Sequence, residues 1–150
     1  MFNDCENFNA DLSNWNVSNG TDFNMMFNGC KSLTSDFSNW SLDSVKIADS
    51  MFKDCILLTT APKLPVTKLP NTNKKLGFFN VGCYSNMFYG CTSLPKAPEL
   101  PATKLAKRCY RSMFEGCTSL IKAPELPATK LSHGCYSFMF EGCTSLIETP

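Results

Sequence analysis

Nine cysteines and a single histidine are the side chains of this 150-residue chain with the most chemistry to offer. A cysteine can attack as a nucleophile when a base takes its proton, ligate zinc, or pair in a disulfide. Zinc needs closely spaced cysteine pairs or a Cys/His set. No two cysteines here are that close, and His133 is the only histidine. Neither a metal nor another cofactor is expected. His133 stands two residues before Cys135, yet Lys107 and Val81 hold the same place before Cys109 and Cys83. The histidine therefore reads as a variant at a repeated surface position. No third group is evident that would orient a Cys–His pair, and neither a glycine-rich phosphate loop nor a carboxylate pair occurs. The expectation is a protein that is not an enzyme.

The cysteines also mark the register of a repeat. Met-Phe recurs at Met1, Met26, Met51, Met87, Met113 and Met139, with spacings of 25, 25, 36, 26 and 26. Four residues after each Met comes Cys5, Cys30, Cys55, Cys91, Cys117 or Cys143, and three residues later Phe8, Leu33, Leu58, Leu94, Leu120 or Leu146. Self-similarity at such a period signals a solenoid, propeller or array. Units beginning near 1, 26, 51, 87, 113 and 139 read as one continuous solenoid over 1–150. Two dialects follow the apolar anchor. DLSNWNVS at 11–18 and DFSNWSLD at 36–43 give way to APKLPVTKL at 61–69 and APELPATKL at 97–105 and 123–131. The 36-residue unit carries ten extra residues within 70–81, expected to bulge from a connecting loop.

The elements that must position these residues follow from the spacing. Cys83, Met87 and Cys91 fall at i, i+4 and i+8, as do Cys109, Met113, Cys117 and Cys135, Met139, Cys143, which predicts a short helix in each rung. Gly90, Gly116 and Gly142 suit its end. On such a helix Cys109 and Cys117 lie about 12 Å apart, beyond disulfide reach. Nine is odd, so complete internal pairing is impossible. A ladder of buried thiols acting as small apolar wedges is favoured over bridges between rungs. The Ala-Pro-x-Leu-Pro stretch cannot be helical and is expected to give strands of two to four residues, because proline lacks the ladder donor. Trp15 and Trp40 occupy equivalent places and should stack on successive rungs.

Composition narrows the function classes. Hydrophobic residues make up 43% and charged residues 18%, which argues against disorder. A net charge of +1 argues against a nucleic-acid binder. No apolar run approaches the roughly 18 residues of a membrane-spanning helix, so no membrane insertion is expected of this segment. No basic-then-apolar signal segment opens it. The charge is unevenly spread: residues 1–60 carry eight acids against three lysines, and 61–150 carry five acids against eleven bases.

The pattern MFxxCxxLxxxDLSNWxxS resembles the repeat of the BspA-like leucine-rich-repeat proteins, and CYxxMFxGCTSLxxAPELPATxL resembles a proline-rich variant of it. The likeness covers essentially the whole chain. It implies an α/β repeat, a leucine-rich-repeat solenoid with short strands on one face and short helices or turns on the other. It also implies a bacterial surface-exposed or secreted protein used in adhesion and partner recognition, and it does not imply an enzyme; the partner expected is a protein or a glycan. Only Asp43-Ser44-Val45-Lys46 echoes the run that follows the tryptophan in tidier members.

In-register side chains form surface stripes: Lys68, Lys104 and Lys130; Lys96 and Lys122; Glu99 and Glu125. Stacked lysines could serve an acidic partner, although repeat duplication also leaves solvated charge stripes, and the glutamates would partly neutralise them. Trp15 and Trp40 could form an aromatic platform, with stacking in the core the plainer reading. The triplets at Asn16, Asn19 and Asn39 match the glycosylation pattern in a segment already rich in Asn and Ser. The chain begins on the repeat element and stops within a repeat, without a distinct cap at either end. It is expected to be part of a longer array. The alternative is a fibre or phage-appendage component that polymerises through its end rungs, with Phe2 and Phe8 as contact residues.

Overall fold

Alternate backbone amides of the Met-Phe segment bond in two different directions. The computed structural model describes residues 1–71, 75–76, 79–80 and 82–148, with 75–76 and 79–80 described as backbone. Between Ala48 and Cys55, the amides of Met51, Lys53 and Cys55 donate to the carbonyls of Ala48, Ser50 and Phe52, three residues back, at 3.1–3.3 Å. The amides of Ala48, Ser50, Phe52 and Asp54 donate instead to Cys83, Ser85, Met87 and Tyr89 of the next rung, at 2.7–2.9 Å. The carbonyls of Asp49, Met51 and Lys53 accept from Met25, Phe27 and Gly29 of the preceding rung. The segment thus satisfies its buried polar backbone by alternating local turns with lateral bonds. The same register links Phe2 to Met26, Phe88 to Met113 and Phe114 to Met139, so the chain winds as a repeat solenoid.

This corrects the expected helices. Among the described residues there is no α-helix; the segments around Met87, Met113 and Met139 are consecutive turns. The cause is a left-handed residue at every fourth position: Asn86 and Gly90; Arg108, Ser112 and Gly116; Gly134, Phe138 and Gly142, with φ between 51° and 74°. A residue in that conformation ends an α-helix. Four-residue turns reproduce the i, i+4, i+8 spacing, which is why Cys109, Met113 and Cys117 all face the core although no helix carries them.

The expected strands contract to isolated parallel bridges: Asp22 with Ile47, Ser41 with Lys63, Lys68 with Lys104 and Lys122 with Glu148. The only named strands among the described residues lie in the insertion, where β1 (Lys75–Leu76) pairs antiparallel with β2 (Phe79–Asn80). Of the insertion placed within 70–81, residues 72–74, 77–78 and 81 lie outside the described residues. The lateral ladder passes the insertion without losing register, since Phe52 bonds Met87 just as Phe27 bonds Met51.

In-register stacking sets like upon like in the core. Phe2, Phe27, Phe52, Phe88, Phe114 and Phe140 form one column, with successive ring centroids 5.5–5.9 Å apart and planes within 14°. Tyr84, Tyr110 and Tyr136 form a second column at 5.8 Å. Each fully buried ring contributes about 1.5–3 kcal/mol by leaving water. Trp40 is buried and Trp15 stacks on it at 6.3 Å, as their equivalent positions predict.

The two dialects differ in how one backbone position is satisfied. The Leu12 amide donates to Ser35 Oγ, and the Phe37 amide to Thr60 Oγ1, each at 2.8 Å. In the repeat register that amide position is taken next by Pro62, Pro98 and Pro124, which have no N–H. The acceptor column becomes Lys96, Lys122 and Glu148. Proline removes the need for a hydroxyl acceptor and frees that column for charge.

Candidate interaction face

All nine cysteines are free thiols, buried except for exposed Cys5 and half-buried Cys143. Each Met-Phe-x-x-Cys thiol from Cys30 onward donates to the carbonyl of the phenylalanine one rung back: Cys30 to Phe2, Cys55 to Phe27, Cys91 to Phe52, Cys117 to Phe88 and Cys143 to Phe114, at 3.0–3.1 Å. Burial pushes the Cys30 thiol up to about 11, those of Cys83, Cys109 and Cys117 up to about 12, and those of Cys55 and Cys91 well up. A thiol so held is protonated near neutral pH and a poor nucleophile. His133 is exposed, and its carbonyl accepts from the Arg108 amide. Among the described residues no group of three or more His, Cys, Asp or Glu could hold a metal ion. No helix there is long and apolar enough to cross a membrane.

Lys68, Lys104, Lys130, Lys96, Lys122, Glu99 and Glu125 are all exposed. Lys68 and Lys104 are bridge partners on adjacent rungs, so this stripe sets like charges side by side. Lys122 pairs not with Glu125 but with Glu148, at 2.9 Å, and that hydrogen bond raises the lysine pKa. Glu148 was legible in the register, 26 residues beyond Lys122 in the same column. Phe2 and Phe8 are half-buried and stack on each other at 4.1 Å.

The lysine and glutamate stripes border a groove. Residues 61–65 with Ala97, Pro98, Glu99 and Pro101 line a cavity of about 550 Å³, and residues 97–101 with 123–125 and Pro127 line one of about 400 Å³. The two share Lys96, Ala97, Pro98, Glu99 and Pro101, so they form one groove across three rungs. Its lining is mostly proline, alanine and leucine. The amides of Glu99, Leu100, Glu125 and Leu126 have no partner among the described residues, because the prolines interrupt the lateral ladder there. Toward the N-terminus the chain carries a different cavity, of about 300 Å³, bounded by Trp15 and by Asn and Ser side chains.

Two features escaped sequence reasoning. Asp49 is a buried carboxylate whose pKa burial raises; it accepts from Ser50 Oγ at 3.2 Å and Asn86 Nδ2 at 3.5 Å. The Tyr84 hydroxyl is buried and has no hydrogen-bond partner among the described residues. Neither has a sequence signal, since the equivalent rung positions hold unrelated or identical side chains.

Comparison with known proteins gives a family match over part of the chain and a structural likeness. A family described as a Mycoplasma protein of unknown function, DUF285, matches residues 1–71. No curated protein matches. Among solved structures, the chain is similar to a leucine-rich-repeat protein of T. pallidum, with 22% identity, a TM-score of 0.45, and coverage of 82% of this chain and 48% of that one. The chain thus spans about half the length of that protein.

Proposed function

We propose that this chain is a non-catalytic recognition module of a BspA-like leucine-rich-repeat protein, exposed at or secreted from a bacterial surface, that binds a protein or glycan partner. The groove over residues 61–65, 97–101 and 123–127 carries the reading. It combines an apolar floor, amides without partners and a rim of Lys96, Lys122, Glu99 and Glu125. Concave, mostly apolar surfaces with a few polar groups are where ligands dock. A partner with extended backbone could meet the free amides, and side chains of either sign could meet the rim. The held, protonated thiols agree with a structural role for the cysteines rather than a catalytic one. The test is a binding screen of the folded chain against matrix proteins and glycans, with Lys96→Glu/Lys122→Glu as the groove variant. Binding lost in that variant supports the reading. A blank screen with natively folded protein, or binding indifferent to the variant, counts against it. Antibody labelling of intact cells tests the surface location.

A further inference from the structure

Two exposed lysines of the solenoid meet an acid across a rung boundary, Lys31 with Glu6 at 2.7 Å and Lys122 with Glu148 at 2.9 Å. The column of Lys68, Lys104 and Lys130 is different. Lys68 and Lys104 are bridge partners, held by the Thr103 and Lys104 amides on the Thr67 carbonyl, at 3.1 and 3.4 Å, and by the Leu69 amide on the Lys104 carbonyl at 3.0 Å. Lys130 holds the same place one rung on. All three are exposed, and none has an acidic partner among the described residues. They lie in the stretches 55–98, 100–114 and 126–140, which contain no Asp or Glu. Rungs continue on both sides of the Lys68–Lys104 pair: Lys63 is bridged to Ser41 before it, and the Tyr110 amide bonds the Cys135 carbonyl after it. The exposure of the pair therefore belongs to the side of the solenoid and not to an end. The chain bends at Thr67, Thr103 and Thr129, between the groove and the lysines, and none of the three lysines lines the groove.

Like charges side by side on neighbouring rungs repel, and an anion that repeats at the same step relieves the repulsion. Bridge-paired backbones lie about 4.8 Å apart. A linear polyuronate fits that step: each sugar carries one carboxylate and advances the chain by a similar distance. Its carboxylates would take charge-assisted bonds from the lysines, and its hydroxyls could bond the exposed hydroxyls of Thr67, Thr103 and Thr129. We infer that the Lys68–Lys104–Lys130 column is a binding site for an acidic polysaccharide of the polyuronate class, successive carboxylates meeting successive rungs. This deepens the recognition reading by naming a ligand class, at a place apart from the proline groove.

Titration calorimetry in about 0.1 M salt tests it, because charges more than about 10 Å apart are screened there. The probe is octagalacturonate. Maltooctaose is the neutral control, and octaglutamate and a thymidine octanucleotide are anions of other classes. Octagalacturonate should bind saturably and maltooctaose should not. Lys68→Gln/Lys104→Gln should weaken binding by about 5-fold or more, the loss expected of two exposed ion pairs, and Lys68→Glu/Lys104→Glu should abolish it. Both positions are exposed, so the variants keep the core intact. The inference is overturned if octagalacturonate gives no saturable heat up to about 10 mM. It is also overturned if maltooctaose binds equally, if Lys68→Gln/Lys104→Gln binds as the parent does, or if octaglutamate or the octanucleotide binds more tightly than the uronate. Partner binding at the groove without uronate binding would sink this inference and leave the recognition reading standing. Uronate binding lost in Lys96→Glu/Lys122→Glu but kept in Lys68→Gln/Lys104→Gln would place the sugar in the groove and overturn the site assigned here.

Discussion

The Cys55 thiol donates to the Phe27 carbonyl across a rung boundary at 3.1 Å, while the same carbonyl accepts the Cys30 amide of its own rung at 3.0 Å. Both lone pairs of that oxygen are therefore used, one within the turn and one between rungs. The bond ties the cysteine side chain of one rung to the backbone at the phenylalanine position of the rung before it, which is a reason for the cysteine to recur in register. Cys55→Ala should destabilise the chain by about 1–3 kcal/mol, from the lost apolar volume and the lost bond together. Cys55→Ser should cost less than Cys55→Val, since serine retains a donor whereas valine overfills a packed site. Urea unfolding at equilibrium measures both; a Cys55→Ala change within about 0.5 kcal/mol of the parent would show that the thiol is not a rung fastener.

The buried thiols also set an alkaline limit. The folded-state values of Cys30, at about 11, and of Cys83, Cys109 and Cys117, at about 12, lie above the 9.0 of a free thiol. Between those values the unfolded chain has released protons that the folded chain still holds, so stability falls as pH rises. The contribution is fully present below pH 9 and is lost progressively toward pH 12, at up to about 1.4 kcal/mol per pH unit for each thiol. The midpoint of urea unfolding should drop steadily from pH 8.5 to 10.5. At pH 8, a thiol reagent should label exposed Cys5 promptly and Cys91 and Cys117 only at the rate of opening. A flat pH profile, or even labelling of all nine, contradicts this.

Two glycines separate close approach from backbone conformation. A Cβ on Gly82 would lie 2.0 Å from the Arg108 carbonyl oxygen and 2.7 Å from Cys109 Cα, both backbone of the adjacent rung. Gly116 has room, its nearest neighbour being Gly90 backbone at 3.7 Å, but its φ is +74°. Gly82→Ala should force rungs apart and cost about 1–3 kcal/mol or more, as overpacking does. Gly116→Ala should cost only the left-handed strain, about 1 kcal/mol. Equal losses in thermal unfolding would mean that the rungs slide freely at Gly82.

The repeat was legible because its signal is periodic: Met-Phe and Cys recur in step, and in-register stacking turns a period into a column. The local conformation was not. Periodicity of four is shared by helices and by chained four-residue turns, and what distinguishes them here is a left-handed residue in each turn. Gly90, Gly116 and Gly142 announce that residue, and Asn86 and Asp54 allow it, but Met25, Arg108 and Phe138 do not. The Met25 and Arg108 amides donate to Asp49 and His133 of the next rung, and the carbonyls flanking Phe138, of Ser137 and Met139, accept from Ser112 and Phe114; propensity carries no record of such bonds. Stripe positions were legible, but the pairing of Lys122 with Glu148 required knowing that columns, not neighbours in sequence, are in contact.

The change of dialect becomes an experiment at Pro62 and Lys96. Leu12 and Phe37 occupy the same column as Pro62, and their amides are satisfied by Ser35 and Thr60 one rung on. Pro62 is buried, lacks an N–H, and faces a column where Lys96 supplies no acceptor. Pro62→Ala should therefore create a buried donor without a partner, costing about 1–3 kcal/mol, with a further contribution from the freer unfolded chain. Lys96→Thr alone should be nearly neutral, since Lys96 is exposed and Pro62 has nothing to donate. Combined, the new threonine should accept the new amide, as Thr60 accepts Phe37, and recover about 0.5–1.5 kcal/mol of the loss. A double-mutant cycle in urea reads this coupling directly. A coupling of zero would mean that Pro62 and Lys96 co-occur without a shared hydrogen bond to explain them, and the two dialects would then need a separate account.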